Sequence, residues 1–323
     1  MHMARSVSAA LAVLGLSVVM TATTASAQFK PTRDVEFVIP FGLGGGADLL
    51  ARTMIKIMTE EKMVPVSVAA VNKPGGGSAT GVSYVVSTKA NDAHTLVLIN
   101  PQTQITPLRV AQAKGWRDIK PIANFMLDDY LIFVRAAAPY KTATDLVADA
   151  KSKPPRTISV GSSGTADDMA ITVLEAGTGV KFNTIRFNSG GEALTALLGG
   201  HVNVAVGNPL EAIGQLKSKT VRALGVMRPT RFEALADIPT LKEQGIEVAP
   251  FQMWRGVALP MGVPADAVAY WQGVMEKVAA TPAFKKYLAD NLAAEQTILG
   301  GDFETYLAGQ ETLYKDMLAR MPK

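Results

Sequence analysis

The 323-residue chain carries 32 Lys and Arg residues against 28 Asp and Glu residues, a formal net charge of +4. It contains no cysteine, which excludes disulfides, iron–sulfur clusters and thiol catalysis. No block of basic residues interleaved with aromatic residues stands out, so no nucleic-acid partner is expected. A chain of this length buries a large core and usually divides into two domains.

The segment from Met1 to Ala27 has the features of a secretory signal peptide. A single positive charge, Arg5, precedes a short apolar run, and the segment ends in the A-x-A cleavage pattern Ala25-Ser26-Ala27. The apolar run is shorter than the about 20 residues that a membrane-spanning helix needs, although an N-terminal membrane anchor is the alternative. We therefore expect export to the periplasm, with a mature chain that starts near Gln28.

Short β-rich runs alternate with amphipathic stretches over most of the remaining chain. The predicted strands are Val35–Ile39, Val66–Val71, Thr95–Ile99, Leu131–Val134, Thr157–Val160, Val202–Val206 and Val221–Val226. The predicted helices between them include Ala47–Glu61, Asp167–Ala176, Gly191–Leu198 and Leu210–Lys217. This alternation predicts an α/β fold with mostly parallel sheets. From Pro264 onward the pattern predicts one helix after another.

The pattern changes near Asp128-Asp129-Tyr130 and again in the irregular stretch before Trp254. If the chain leaves one unit near residue 128 and returns near residue 252, two α/β lobes are joined by two crossovers. The predicted division gives residues 28–128 and 253–323 to lobe I, and residues 129–252 to lobe II. This is the geometry of a two-lobed periplasmic solute-binding protein, a type II-like clamshell with two hinge crossovers.

A glycine-rich loop follows the first predicted strand, in the stretch "VIPFGLGGGADLLAR". Residues 42–47 satisfy the dinucleotide pattern G-x-G-x-x-G/A, but the next strand ends in Asn72-Lys73, without the acid that holds a ribose. No Gly-Lys-Ser/Thr follows, which argues against a P-loop. Free N–H groups at a helix start favour any anion. A carboxylate therefore fits this loop, and a tight turn without a ligand is the alternative.

Three further loops of this kind follow predicted strands, at residues 72–81, 160–169 and 186–194. The second of them carries the hydroxyl groups of Ser162, Ser163 and Thr165, which suit a second carboxylate. Ligands of open α/β sheets lie at the carboxyl ends of the strands, so several such loops together indicate a binding cleft. We interpret Asp167 and Asp168 as first-turn acids that stabilise a helix rather than as ligand contacts.

Three single residues complete the candidate cleft. Arg255, placed before a strand-like run, is able to pair with a ligand carboxylate, and its neighbour Trp254 is a candidate wall of the cleft. The alternative for this pair is a hinge-packing Trp254 with an outward-pointing Arg255. Asn208, directly after a strand, is either a polar group of the cleft or a turn cap.

Catalytic chemistry finds little support in the sequence. After the signal peptide only His94 and His201 remain, and no His/Asp cluster has metal-ligand spacing. The segment "GSSG" does not match the nucleophile elbow G-x-S-x-G. We predict no catalytic residue, no cofactor and no metal, and therefore a binding protein rather than an enzyme.

At these loops the sequence resembles the solute-binding proteins of tripartite tricarboxylate transporters, the Bug or TctC family. The resemblance covers nearly all of the mature chain and rests on "VIPFGLGGGADLLAR", "NKPGGGSATG", "ISVGSSGTADDM", "SGGEALTALLGGHVNVAVGNPLEA", "IPTLKEQG" and "WRGVALP". It implies a periplasmic two-lobed fold that closes on a carboxylate and delivers it to the permease subunits in the membrane. We expect the chain to act as a monomer.

The resemblance also implies roles for individual loops. Residues 41–48 match the family's first ligand loop, residues 162–166 match the carboxylate-binding helix start of the second lobe, and residues 187–191 and Asn208 match positions that vary with the solute. With Arg255 added, the predicted ligand-binding residues are Phe41, Gly42, Leu43, Gly44, Gly45, Asp48, Ser162, Ser163, Gly164, Thr165, Ala166, Phe187, Asn188, Ser189, Gly190, Asn208 and Arg255.

Departures from the family pattern bear on the identity of the solute. A Tyr-Lys-Gly is common in the family where this chain has Phe187-Asn188-Ser189, and the lost cation disfavours a highly charged ligand such as citrate. Phe41, Phe187 and Trp254 are candidates to flank a flat ring. The predicted solute is an aromatic dicarboxylate such as terephthalate, with citrate or a C4–C5 dicarboxylate as competitors. The alternative functions are a ligand sensor that presents its closed form to a membrane receptor and a periplasmic enzyme that acts on small carboxylates.

Overall fold

The computed structural model describes residues 29–249 and 251–319; the predicted signal peptide lies outside these residues. In chain order the strands are β1 Val35–Ile39, β2 Val68–Asn72, β3 Thr95–Ile99, β4 Ile119–Asp128, β5 Leu131–Arg135, β6 Ser159–Ser162, β7 Asn183–Arg186, β8 Val204–Gly207, β9 Val221–Val226, β10 Met253–Pro260 and β11 Ala294–Leu299. The helices are α1 Gly46–Glu60, α2 Ala79–Thr88, α3 Gln102–Arg109, α4 Ala143–Lys151, α5 Thr165–Thr178, α6 Gly190–Leu198, α7 Pro209–Lys217, α8 Ala265–Ala280, α9 Pro282–Asp290 and α10 Gly300–Ala319.

The strands form two sheets, which confirms the predicted α/β class. The first sheet has the order β11-β4-β10-β3-β1-β2, and the second has the order β7-β6-β8-β5-β9. The chain passes from the first sheet to the second between Asp128 and Leu131, and returns between Val226 and Met253. The division into lobes at residues 128 and 252 stays a prediction, and these two passages support it.

Within each sheet most strands run in one direction, and they end in the region between the two sheets. Strands β1 to β4 share one direction in the first sheet and β6 to β9 share one in the second, whereas β5, β10 and β11 oppose them. Strands β5 and β10 run backward because each starts at a crossover, where its neighbours end. Accordingly Leu131 pairs with Gly207 at the end of β8, and Gly256 pairs with Ile99 at the end of β3.

The two sheets have hydrophobic cores that follow from the sequence pattern. Strand β3 is buried along its whole length, as expected of a short, continuous apolar run in the middle of a sheet. Helix α1 buries Leu50, Met54 and Ile57 at helical spacing and turns this face toward the first sheet. Burial of these apolar faces holds the loops that follow β1 and β3 in place.

The structure corrects two expectations for the C-terminal third. Trp254 and Arg255 lie inside β10 rather than before a strand. The expected succession of helices after Pro264 is interrupted by β11, a half-buried strand that pairs with β4. Within residues 29–249 and 251–319, none of the helices combines the length and the apolar character that crossing a bilayer requires.

Candidate functional site

Helix starts and strand ends meet in the region between the two sheets. Helices α1, α2, α3, α5, α6 and α7 each begin soon after the end of a strand that points into this region. The first N–H groups of a helix have no partner within the helix, and they carry the positive end of its dipole. This region therefore offers several sets of hydrogen-bond donors that favour an anion.

The loops of the two sheets are in direct contact across this cleft. The Gly42 N–H donates to the Asn188 carbonyl at 2.9 Å, and the Ser189 hydroxyl donates to the Leu43 carbonyl at 3.1 Å. A Cβ added at Gly45 would lie 2.9 Å from the Cβ of Ser189. Glycine at position 45 therefore permits the close approach of the two loops.

A second set of contacts closes the cleft near α2, α3 and α5. The Thr106 hydroxyl donates to the Gly77 carbonyl at 2.6 Å, and its oxygen lies 2.9 Å from the Thr165 hydroxyl oxygen. The Gln102 amide donates weakly to the Ser163 carbonyl at 3.5 Å. The structure is therefore a closed form of the cleft, with polar contacts between loops that follow strands of both sheets.

A cavity between these loops, which we call the main cavity, has a volume of about 300 Å³. Its apolar wall consists of Pro40, Phe41, Val110 and Phe187. Its remaining lining comprises Gly75, Gly76, Gly77, Ser78, Gln102, Ser163, Gly164, Thr165, Arg186 and Asn188. Small-ligand sites have this size and this mixture of apolar walls with a few polar groups.

Two polar atoms in the wall of the main cavity are buried without a hydrogen-bond partner. They are Oγ of Ser78 and Oε1 of Gln102, each in a residue only 1% exposed, and neither finds a partner among residues 29–249 and 251–319. A buried polar atom left unpaired costs about 1–3 kcal/mol. Both residues line the main cavity, although the two oxygen atoms themselves are almost wholly shielded from it in this structure.

Two arginine side chains beside the main cavity share one carboxylate. The Arg186 Nε donates to the Asp168 carboxylate at 2.9 Å, and an Arg109 nitrogen lies 3.7 Å from the same carboxylate oxygen. The Ser162 hydroxyl donates to the other oxygen of Asp168 at 2.8 Å. Two further acids lie behind the cavity lining, because Asp167 accepts a hydrogen bond from the Ser163 hydroxyl and Glu192 accepts one from the Asn188 N–H.

A smaller cavity of about 20 Å³ lies next to the crossover strand β10, and we call it the hinge cavity. It shares Phe41, Gln102 and Ser163 with the main cavity. Arg255, 2% exposed, lines it and donates to the Asp128 carboxylate at 3.1 Å and to the Asn208 side-chain oxygen at 3.0 Å. The hinge cavity has room for about one water molecule.

Acidic side chains crowd around the hinge cavity. The Glu211 carboxylate lines it and accepts a hydrogen bond from the Gly46 N–H at 3.0 Å. Complete burial raises the pKa of Asp128 to about 7, although Arg255 favours its charged form. Burial, reinforced by the charge of Glu211, raises the pKa of Asp167 to about 7. Arg255 therefore has more than one carboxylate near it.

Comparison with known proteins identifies the class of this binding cleft. Residues 50–306 match the model of the tripartite tricarboxylate transporter family receptor. The chain belongs to this family. Members of this receptor family are periplasmic solute-binding proteins rather than enzymes, so the resemblance seen in the sequence is confirmed.

Three known proteins illustrate the similarity. A Cupriavidus necator protein, described as the UPF0065 protein in the gbd 5′ region, is 29% identical over 88% of this chain and 85% of its own. The structure of periplasmic binding protein BugD covers 90% of this receptor and 98% of its own chain, at 22% identity and a TM-score of 0.84. The match to an R. palustris protein solved with adipate covers 89% of this receptor and 96% of that protein's chain, at 23% identity and a TM-score of 0.81.

The structure brings most of the predicted site residues of the receptor together. Those that line the main cavity are Phe41, Ser163, Gly164, Thr165, Phe187 and Asn188. Those that line the hinge cavity are Phe41, Gly45, Ser163, Ser189, Gly190 and Arg255. Ser162 supports Asp168, Asn208 supports Arg255, and Ala166 is buried in the first turn of α5. The ligand contacts of all these residues stay predictions.

Other predicted residues of the receptor lie away from both cavities. The Leu43 side chain is 65% exposed, and a Cβ at Gly44 would meet no atom within 4 Å. Asp48 accepts hydrogen bonds from the Gly44 N–H, Arg52 and Asn72, so its carboxylate stabilises the loop. Gly42 contributes the contact with Asn188 that helps to close the cleft.

Trp254 does not form a wall of either cavity. Its side chain is fully buried, packs edge-on against Phe303 and donates to the Tyr314 hydroxyl at 3.0 Å. Alternation along β10 explains this placement, because adjacent residues of a strand point to opposite faces. Trp254 therefore packs against α10, whereas Arg255 points toward the cleft.

Sequence reasoning did not single out Ser78, Gln102, Asp128 or Glu211. Ser78 lies in a glycine-rich loop that the sequence did mark, and Gln102 begins a helix directly after β3. Glu211 lies three residues after Asn208, in the first turn of α7. Within the described ranges, no group of three or more His, Asp or Glu side chains is arranged to hold a metal ion.

Proposed function

We propose that the receptor captures an organic carboxylate in the main cavity and delivers it to the permease subunits of a tripartite tricarboxylate-type transporter. The observation that carries this proposal is a cavity lined by the helix starts of both sheets, with the guanidinium groups of Arg186 and Arg109 beside it. Adipate in the R. palustris protein supports a carboxylate as the class of ligand.

Closure of the cleft is the event that couples binding to delivery. A ligand held between loops of both sheets stabilises the closed form, because it interacts with both loops only when the cleft is closed. We propose that the permease recognises this closed form. The receptor then acts as a monomer in the periplasm, after removal of the segment Met1 to Ala27.

Among the solutes suggested by the sequence, a flat aromatic acid is best supported by the walls of the main cavity. Phe41 and Phe187 both line it, although Trp254 does not. Citrate has three carboxyl groups, whereas the guanidinium groups near the cavity, on Arg109 and Arg186, already share Asp168. An aromatic acid such as terephthalate is therefore favoured over citrate and over a C4–C5 dicarboxylate.

A thermal-shift screen tests the proposed function. The mature receptor is heated with aliphatic and aromatic mono-, di- and tricarboxylates, and with nucleotides and neutral sugars as controls. A carboxylate present at 100 times its dissociation constant stabilises the protein by about 2.7 kcal/mol, which raises the melting temperature measurably. A shift with carboxylates alone supports the proposal; a shift with nucleotides or sugars alone contradicts it.

A further inference from the structure

Glu211 reaches across the cleft to the start of a helix that packs on the other sheet. It belongs to α7, which follows β8 of the second sheet, and its carboxylate accepts the N–H of Gly46, the first residue of α1. The sequence assigned the N–H groups of this glycine loop to one carboxyl end of the solute. In the structure, a carboxylate of the protein itself binds there.

Glycines at two positions leave room for this arrangement. A Cβ at Gly190 would collide with the Glu211 carboxylate. A Cβ at Gly46 would lie 2.6 Å from a terminal nitrogen of Arg255. Because the protein backbone accommodates Glu211 and Arg255 so closely, their positions beside the hinge cavity are tightly defined.

The hinge cavity holds no spare positive charge for a ligand. Among its lining residues, all of them within the described part of the chain, Arg255 is the one cationic side chain. Arg255 already pairs with Asp128 and also lies close enough to Glu211 for their charges to interact. The free volume of about 20 Å³ holds about one water molecule, so the far end of a solute in the main cavity would approach Glu211 from the shared wall at Phe41, Gln102 and Ser163.

The lining of the main cavity differs in its charged side chains. Arg186 lines it and shares Asp168 with Arg109, and no Asp or Glu is among its lining residues, all of which belong to the described part of the chain. The lining of the cleft thus carries Arg186 in the main cavity and Glu211 in the hinge cavity, and the two cavities join at Phe41, Gln102 and Ser163.

We infer that the receptor selects a monocarboxylate, because Glu211 occupies the position that a second ligand carboxylate would need; an aromatic monocarboxylate then replaces terephthalate as the favoured solute. The single carboxyl group of the solute binds in the main cavity, and its other end is neutral where it faces Glu211. This inference rests on the proposed function. A dicarboxylate would place its second charge toward Glu211 and Asp128, and like charges brought together at an interface cost several kcal/mol.

Matched pairs of acids test the inference by isothermal titration calorimetry. Terephthalate is compared with its monoamide, 4-carbamoylbenzoate, and adipate is compared with its monoamide, so that each pair differs by one charge at nearly constant shape. We expect the wild-type receptor to bind the monoamide about tenfold or more tightly than the diacid in at least one pair.

Variants at position 211 show whether Glu211 causes this preference. Glu211→Gln keeps an oxygen that is able to accept the Gly46 N–H, and we expect it to abolish the preference for the monoamide. Glu211→Asp retains the charge and should retain the preference. Glu276→Gln removes an exposed acid of α8, and serves as the control that leaves the preference unchanged. Circular dichroism and melting temperatures establish that each variant folds.

Two results would overturn the inference while leaving the proposed function intact. One is a wild-type receptor that binds both diacids at least as tightly as their monoamides. The other is a preference for the monoamide that Glu211→Gln leaves unaltered. If no carboxylate of the whole thermal-shift panel binds, the proposed function itself fails, and the inference fails with it.

Discussion

At the scale of single residues, the site is defined by polar atoms that the folded protein leaves unpaired or shields from water. Ser78 lies at the start of α2 with a φ of +77°, lines the main cavity and carries a buried hydroxyl without a partner in the described structure. Unpaired buried atoms also occur away from this cavity, on Gln104 and Asn124 for example. A contact between Ser78 and the solute is therefore a proposal that substitution tests.

Substitution of Ser78 is expected to weaken ligand binding without lowering the stability of the protein. Ser78→Ala removes a hydroxyl that has no partner in the described structure, so the free protein keeps its melting temperature or gains slightly. Carboxylate binding loses a hydrogen bond worth about 1 kcal/mol, which weakens affinity about fivefold. Titration calorimetry measures the affinity, with Ser87→Ala at the exposed end of α2 as the control. Unchanged affinity in Ser78→Ala would exclude the hydroxyl as a ligand contact.

The buried acid Asp167 is expected to make stability depend on pH. Its pKa of about 7 exceeds the about 3.9 of an unfolded Asp, so the folded protein binds more protons between about pH 4 and pH 7. Rising pH in this window therefore lowers the free energy of unfolding. Asp167→Asn should make the fall from pH 5 to pH 7.5 smaller, as measured by urea denaturation. A slope equal to that of the wild type would show that Asp167 titrates normally.

At the scale of elements, the sequence predicted strands from local runs of apolar and β-branched residues, whether fully buried as in β3 or partly exposed as in β2. The bounds of β1, β3 and β9 agree with the prediction, and those of β2, β6 and β8 lie within two residues of it. The sequence missed β4, β7 and β11, because their pairing, rather than their pattern, makes them strands. β4 contains a proline, and β11 is half-exposed at the edge of the sheet.

The glycine loops could be predicted because strand, glycine and helix start are all local features. What each loop binds could not be predicted in the same way. Gly46 and Glu211 are 165 residues apart, and only the packing of both sheets shows that a carboxylate of the protein reaches this N–H group. Likewise, the inward position of Arg255 depends on the register of β10.

Substitution of two neighbouring glycines tests the closed arrangement of the loops. Gly45→Ala places a methyl group 2.9 Å from the Cβ of Ser189, and such overpacking costs the closed form about 1–3 kcal/mol. Ligand affinity should fall about tenfold, and small-angle X-ray scattering should show a more open molecule with ligand present.

Gly44→Ala is the matched control for this substitution. Its added methyl group meets no atom within 4 Å, and its φ of +72° costs about 1–2 kcal/mol of stability because the backbone is strained. We expect lower stability with unchanged closure. Equal loss of affinity in both glycine variants would mean that closure does not depend on the contact at Gly45.

At the scale of the whole molecule, two sheets and two crossovers form a cleft whose two ends differ in charge. The R. palustris protein with adipate has the same fold, and adipate carries two carboxyl groups. The receptor described here places Glu211 beside α1, and the proposed preference for a monocarboxylate rests on this acid.

A crystal structure of the receptor with the most strongly stabilising acid of the thermal-shift panel tests the central claim most directly. We predict a carboxylate in the main cavity, within hydrogen-bond distance of Ser78 Oγ, with Glu211 still bound to the Gly46 N–H. A ligand carboxylate at Gly46 and Arg255 with Glu211 displaced, or a ligand outside the cleft, would contradict the account.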